Sequence, residues 1–576
     1  MIYTKDHKTA DMFDPFPFLG PKRKERIEAS WAKLFREHIL TTLPVEKVFS
    51  KYDPVMGAPT KELYAMLGLM VIQQMHDLTD EQAVDEFAYN IRWHYALNIT
   101  STADEAAYVC PKTLWTMRAH LTELNLYHDI FNQVTQKLAE VFAVDASKQR
   151  IDSVHIFSNM RHLGRIGLFV KTIKKFLVNL KRHHSGLYAS LEKSLVDRYL
   201  TKRGEAVFSM VKPSESIHTL AALAEDVFAL AQRFKANPAV TGMNSYQLLA
   251  RLLKEQCHVE SGQGESAKVS IKANQEVASD SLQNPSDPDA GYDGHKGQGY
   301  QVQLAENYNT AEEKNTLSLL TAVMVEPAHK SDAQALIPML EATAEAGLKP
   351  AEVVADTLYG SDENCEQAKH MEVAVISPVK GRPADPEALS LTDFSRNPMG
   401  DIIACPQGHA PEKTKGHAGQ YTAMFQKAFC ESCACQKQCP IVVGKRGCYL
   451  RYHNKDLRLA LRRSREATPE FRDTYRYRAG IEAAISQVDR LTGIKHLRVR
   501  GLAAVSFAAF LKAAGINILR AAAFRIQEKL EHTPIFVIFT WLFHACKRRF
   551  RFISRVWWSW QAGQALKTSF AAFYTA

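Results

Sequence analysis

What this chain lacks narrows its class first. Acid is nearly missing from the C-terminal end: residues 490–576 hold 14 Lys and Arg against only Glu528 and Glu531, while residues 1–489 carry 58 bases and 60 acids. A local basic surplus fits a polyanion partner, most often nucleic acid, although a solvated face is the plainer account of any single basic run. The start MIYTKDHKTADMFDPFPF has no basic segment followed by an apolar core, so it is not expected to act as a secretory signal. That start predicts a product kept in the cytoplasm. The apolar stretch PIFVIFTWLFHAC, residues 534–546, is shorter than the roughly 20 residues a spanning helix needs, so it predicts a packed or DNA-adjacent helix and no membrane anchor. Ten cysteines in a reducing compartment give no disulfide framework; five of them crowd into residues 405–439, which points to metal.

What is present suits a soluble, globular protein. The 46% hydrophobic and 23% charged residues supply several cores, and 576 residues at about 150 per domain suggest roughly three or four domains. Residues 20–140 read as helical. Leu63, Met66, Leu67 and Met70 recur at helical spacing after the capping-type Thr60, and a further helix follows Thr79. Short helices with tight turns suit a DNA-binding module of the helix-turn-helix type, and an ordinary bundle fits equally well.

From about residue 144 the period changes. In RIDSVHI, Asp152, Val154 and Ile156 share one face of an extended segment. Residues 160–275 return to helical spacing with basic runs such as KTIKKFLVNLKRHH, then end in the turn-rich QNPSDPDAGYDGHKGQG. Segments 300–306 and 317–325 read as a β-hairpin. Ser331 and Gln334 form a capping-box pattern before a helix that closes on Gly347. A strand ending at Asp356, a helix from Ser361 and a strand at 373–377 complete the order of a ribonuclease-H-like α/β fold.

In that fold carboxylates at the ends of adjacent strands can meet at one sheet edge: Asp152 lies on the first strand, Asp356 ends the fourth, and Glu482 would lie on a late helix beside them. Three converging carboxylates need cations to neutralise them, and hard oxygen donors suit two Mg²⁺ or Mn²⁺ ions that activate one oxygen and stabilise another in phosphodiester chemistry. Any one of these acids alone is most often a turn or surface residue. In TYRYRAGIEAAISQVDR, Tyr475, Arg478 and Glu482 stand three and four apart and form one helical stripe, while Ile481, Ile485 and Val488 give an apolar side that docks Glu482 at the edge of a core. A surface ion pair between Arg478 and Glu482 is the alternative. Six donors, Cys405, His409, Cys430, Cys433, Cys435 and Cys439, are available for a tetrahedral Zn²⁺ site.

These segments together resemble the bacterial DDE insertion-sequence transposases. YRYRAGIE carries their Y-x2-R-x3-E signature, and RIDSVHI, SDPDAGYDGHKGQGYQVQLAE and VVADTLYGS are similar to the first-aspartate, hairpin and second-aspartate regions of the subgroup with a cysteine cluster. The resemblance spans about residues 15–510. It implies that Asp152, Asp356 and Glu482 are catalytic and bind Mg²⁺, that Tyr475 and Arg478 contact DNA, and that Cys405, Cys430, Cys433 and Cys439 hold a structural Zn²⁺. The family often has a basic residue seven positions after the glutamate; here Asp489 stands there and Arg490 follows as the candidate DNA contact. The implied partners are double-stranded DNA, at terminal inverted repeats and at the target, and further copies of the chain assembled on DNA. A non-catalytic DNA-binding derivative and a nuclease without strand transfer are the competing readings.

The expected fold class is multidomain α+β. Residues 1–140 form a helical DNA-binding domain; 141–159 with 285–380 form the ribonuclease-H-like core; 160–284 are a helical insertion. Residues 381–450 form a zinc-binding insertion, 451–510 carry the catalytic glutamate, and 511–576 make a basic helical tail.

Overall fold

Capped, apolar-periodic segments fold the N-terminal part into helices. The computed structural model describes residues 1–531 apart from 10, 201–210, 261–267, 311–315, 382–386 and 418. Helix α1 (Leu63–Met75) is buried almost all round. Its cap is Glu62, whose carboxylate accepts from the Tyr64 and Ala65 amides at 3.2 and 2.6 Å, and not Thr60 as the sequence suggested. Thr60 is engaged elsewhere: its hydroxyl oxygen accepts from the Tyr3 amide at 3.0 Å and ties the N-terminal segment down. Helix α2 (Asp80–Tyr89) does start on a Thr79–Gln82 capping box. Helices α3 (Ile91–Ala96), α4 (Pro111–Glu123) and α5 (Leu126–Val141) follow, each burying one stripe.

The chain then turns to strands. Strand β1 (Lys148–Phe157) is separated by helices α6 (Arg165–His183), α7 (Ser216–Phe234) and α8 (Asn244–Gln256) from β2 (Gly291–Asp293), β3 (Gly297–Asn307) and β4 (Leu320–Pro327). Helix α9 (Leu336–Glu345), strand β5 (Glu352–Val354), helix α10 (Asp362–His370) and strand β6 (Ala374–Ile376) complete this set. Ser331 caps a short 3₁₀ turn by accepting from the Ala333 amide, so α9 begins only at Leu336 and the expected box with Gln334 does not form. The sheet runs β4–β3–β1–β5–β6, with β2 also on β3. The β3–β1 and β3–β4 ladders are antiparallel, and β1–β5 and β5–β6 are parallel.

The parallel β1–β5 ladder ends at the pair Arg150–Val354. Asp152 and Asp356 each stand two residues past that point, where the sheet opens. Ile151, Leu336, Met339, Val353 and Tyr359 form the core on one face. On the other face Val154, Val302 and Leu304 join a large core shared with the N-terminal helices.

Helix α6 and its two followers have a core of their own, including Phe169, Phe176, Leu223 and Leu249. Strands β7 (Lys413–His417), β8 (Gln420–Phe425), β9 (Val442–Val443) and β10 (Cys448–His453) form a small separate sheet in the order β7–β8–β10–β9. Helices α11 (Asn454–Glu466), α12 (Pro469–Tyr475), α13 (Gly480–Thr492) and α14 (Leu502–Glu531) close the described chain.

Helix α14 crosses the boundary expected at residue 511. Phe507, Leu511, Ile516 and Ile518 belong to the same large core, so residues 511–522 are interior structure and not tail. By length and composition its Leu502–Glu528 part could cross a membrane, yet 78% of its most apolar window is buried inside the protein. Its polar residues are also matched inside: Lys512 is 1% exposed and donates to Asp77 at 2.7 Å and to the Thr492 carbonyl at 2.6 Å. Residues 534–546 and the rest of the expected tail lie outside the described residues.

Candidate active site

Where β1 outruns β5, Asp152 projects from the sheet with its side chain 16% exposed. One carboxylate oxygen accepts from the Ser153 amide at 2.9 Å and the other from Arg478 Nη2 at 3.0 Å. Glu482 accepts from Arg478 Nη1 at 3.2 Å, so one guanidinium bridges two of the three expected acids. Burial disfavours the Arg478 charge, but Asp152 and then Asp356 outweigh it and raise its pKa. For Asp152 the balance is reversed: burial lifts its pKa, Arg478 opposes, and the negative charges of Asp356 and Asp332 lift it further. Asp356 accepts from the Thr357 amide beside it. All three acids therefore bear on the one Arg478 charge.

Glu482 does not sit as the helical pattern suggested. Ile481 and Val488 are fully buried, but the Glu482 side chain is 67% exposed and points to solvent over the acid cluster. Nor is the Tyr475–Glu482 stripe one continuous helix. Helix α12 ends at Tyr475, a 3₁₀ turn covers Arg476–Ala479, and α13 starts at Gly480. The tighter turn aims Arg478 across toward β1. Tyr475 is half-buried and stacks on Phe471 with ring centres 5.6 Å apart. Its hydroxyl pKa is raised by burial, with Asp356 and Asp152 adding to the rise against Arg478.

Behind the turn lies a support that no sequence motif marks. Glu306 on β3 is 2% exposed and is held by Arg150 Nη2 at 2.6 Å and Arg520 Nη1 at 2.7 Å. Arg150 also donates from Nη1 to the Tyr477 carbonyl at 3.0 Å. A Cβ on Gly480 would collide with the Arg150 guanidinium, so a larger residue there would displace that side chain from its partners. A buried charge of this kind needs full pairing, and an arginine on the neighbouring strand was the available sign. A second network runs from the Tyr359 hydroxyl to Gln303 Oε1, from Gln303 Nε2 to Asp332 at 2.8 Å, and from Ser153 Oγ to Asp332 at 3.3 Å. It fastens the loop after Asp356 to strands β3 and β1.

Arg490 is exposed and lines an open cleft with Arg150, Glu306, Gln487 and Arg520. It lies about 80° around the helix from Glu482 and is not brought to the acids. Asp489, in the position where a base was expected, caps the end of α13: its carboxylate accepts from the Lys495 amide at 3.1 Å. The helix stops there on Gly493, at φ 61°.

The cysteines gather separately. Cys405, Cys430, Cys433, Cys435 and Cys439 line one cavity of about 30 Å³ with His409, room for an ion and not for a substrate. Burial first, then Cys448, Cys439 and Cys405, push the Cys430 thiol up to about 12. Cys439 is raised by burial and by Cys433, Cys405 and Cys435. Five soft donors facing one small space suit Zn²⁺ chemically. His409 stacks on Phe429 at 4.7 Å, and Cys435 Sγ accepts from Gln407 Nε2 at 3.2 Å. Among the described residues, however, no three His, Cys, Asp or Glu side chains stand in a metal-coordinating arrangement, here or at the acids.

Two family models match the chain. One, described as a transposase DDE domain, covers residues 404–522, and the other, a transposase domain (DUF772), covers residues 25–120. The first spans the cysteine cluster, Tyr475, Arg478 and Glu482; Asp152 and Asp356 lie outside both. Neither the curated proteins nor the solved structures give a significant match.

Proposed function

The chain is a member of the DDE insertion-sequence transposases, and from that premise we propose that it binds the terminal inverted repeats of its element, cuts a phosphodiester there and joins the freed 3′ hydroxyl to target DNA. The observation that carries this reading is the Arg478 bridge, which draws Asp152 and Glu482 together from residues 330 apart in the chain, with Asp356 acting on the same charge. A sheet in the order β4–β3–β1–β5–β6, antiparallel on one side of β1 and parallel on the other, supports a ribonuclease-H-like core.

Asp152, Asp356 and Glu482 would hold two Mg²⁺ or Mn²⁺ ions, whose charge serves the entering and leaving oxygens in such chemistry. Arg478, its Nε buried and without a hydrogen-bond partner among the described residues, and Tyr475 beside it are the groups for a scissile-strand phosphate. Arg490 is the weaker DNA contact, since it faces the other cleft. Cys405, Cys430, Cys433 and Cys439 would hold a Zn²⁺ that staples the small sheet. The helices of residues 1–140 are the candidate reader of the repeat, and paired ends imply more than one copy of the chain on DNA in the cytoplasm.

The test is incubation of the purified protein with Mg²⁺ and DNA from the two ends of its own element. Cut ends followed by joined products support the reading. Cutting without joining leaves a nuclease, and binding without cutting leaves a DNA-binding derivative.

A further inference from the structure

Helix α11 ends in the basic run RLALRRSRE, residues 458–466, which by composition alone suits a polyanion. Three of its residues turn to the protein instead. Arg458, Arg462 and Glu466 stand four apart and so share one face of the helix. Arg458 donates to both carboxylate oxygens of Asp362, at 3.0 and 2.6 Å, where α10 begins. Glu466 accepts from the Val379 amide just past β6. Between them, Arg462 donates from Nη1 to the Gly360 carbonyl at 2.8 Å and from Nη2 to the Ser377 carbonyl at 3.1 Å. A charged donor makes such bonds stronger than a neutral one does.

Both carbonyls belong to the surroundings of Asp356. That residue lies in no strand, because β5 stops at Val354 and a turn leads from there to α10. Its main-chain carbonyl accepts from the Tyr359 amide at 3.1 Å within the turn and from Ser377 Oγ at 2.8 Å across it. The Arg462 guanidinium therefore ties the far end of the turn, at Gly360, to the residue that holds Asp356 itself. Packing there is close: a Cβ on Gly360 would come within 2.2 Å of Ser377 Oγ and 3.0 Å of Arg462 Nη2. The helix is anchored in turn by the cysteine-bearing sheet, since β10 runs straight into it and Asp456 accepts from the His453 amide at 2.8 Å.

We propose that Arg462 is a positioning residue for Asp356, holding the turn so that this carboxylate can share a cation with Asp152 and Glu482. The inference rests on the transposase reading above, in which Asp356 binds a cation, and adds a residue to it. The charge of Arg462 works the other way. A positive side chain near the acids opposes a cation, so charge removal alone should tighten cation binding, whereas loss of positioning should weaken it.

The experiment titrates the full chain with Mn²⁺ in the absence of DNA and reads the free ion by electron paramagnetic resonance, well below the melting temperature. Asp356→Asn marks the binding that depends on that acid. Arg462→Met keeps the stem and removes the donors; Ser377→Ala removes only the hydroxyl that reaches Asp356. The expected result is Mn²⁺ binding weaker by about 10- to 100-fold in Arg462→Met, with a loss in the same direction in Ser377→Ala. Arg465→Met, which removes an equal charge from an exposed position of the same helix, should bind at least as tightly as the unaltered protein. Unchanged or tighter binding in a folded Arg462→Met variant overturns the proposal; if that variant does not fold, unchanged binding in Ser377→Ala does so. An equal loss in Arg465→Met also overturns it, by assigning the effect to the helix as a whole. Absent Mn²⁺ binding in the unaltered protein, or binding that Asp356→Asn leaves intact, would overturn the cation role of Asp356 and with it the reading on which the proposal rests.

Discussion

At the scale of single residues, Glu482 and Asp152 call for different tests because their surroundings differ. Glu482 is mostly in solvent, so its pair with Arg478 contributes little to stability, on the order of 0–1 kcal/mol. If it holds a cation, Glu482→Gln keeps shape and hydrogen bonding but removes a needed charge. Cleavage should fall at least a hundredfold, about 2.7 kcal/mol in the barrier, while DNA affinity changes only severalfold. Near-normal cleavage would remove Glu482 from the site. Asp152 is more enclosed, and its raised pKa means that the folded state holds its proton more tightly than the unfolded chain does. Its contribution to stability is therefore present below the unfolded pKa of about 3.9 and is lost as pH rises through the higher folded value. With divalent cations chelated, Asp152→Asn should be at least as stable as the unaltered protein at pH 7, and its relative advantage should shrink toward pH 4. Thermal melts at both pH values check this; a clearly less stable variant at pH 7 would contradict the sign.

At the scale of elements, the cysteine-bearing sheet between β6 and α11 is small, and its core consists of few side chains, among them Phe394, Phe425, Leu450 and Tyr452. So small a core gains most from a metal staple. Cys430→Ser or Cys433→Ser should release bound zinc and lower the melting temperature, and Cys435→Ser should do neither. Metal analysis giving less than a tenth of a zinc equivalent in folded protein would sink the idea. Strand and helix order in the core could be read from the sequence because alternation and caps are local: Thr79–Gln82, the hairpin at 300–325 and Ser361 all recur in the structure. Positions fixed by distant partners could not. Thr60 bonds Tyr3 instead of capping α1, the 3₁₀ turn at 476–479 replaces a continuous helix, and Arg150 and Arg520 converge on Glu306 from 156 and 214 residues away. The same limit hid Asp332, Gln303 and Tyr359, whose network is visible only once β1, β3 and the Asp356 loop are side by side.

At the scale of the whole molecule, α14 decides where the chain can be cut. A sequence-based truncation after Val505 looks like removal of a basic tail, yet it would delete Phe507, Leu511, Ile516 and Ile518 from the main core and Arg520 from the support of the Tyr–Arg–Glu turn. It would also strip Asp77 of its buried partner Lys512. Each large buried side chain lost costs about 2–5 kcal/mol, and several together exceed the 5–15 kcal/mol that holds a typical domain folded. That variant should fail to fold, and any loss of DNA binding in it says nothing about the tail. Truncation after Glu531 removes six Lys and Arg and no acid while sparing every described core residue. It should keep the melting temperature within a few degrees. If the full chain contacts about six phosphates, log affinity against log salt slopes near −5, and the truncated chain should slope less steeply. A folded truncation with an unchanged slope would leave the polyanion contact to the described body of the protein and take the six bases beyond Glu531 out of the DNA-binding surface.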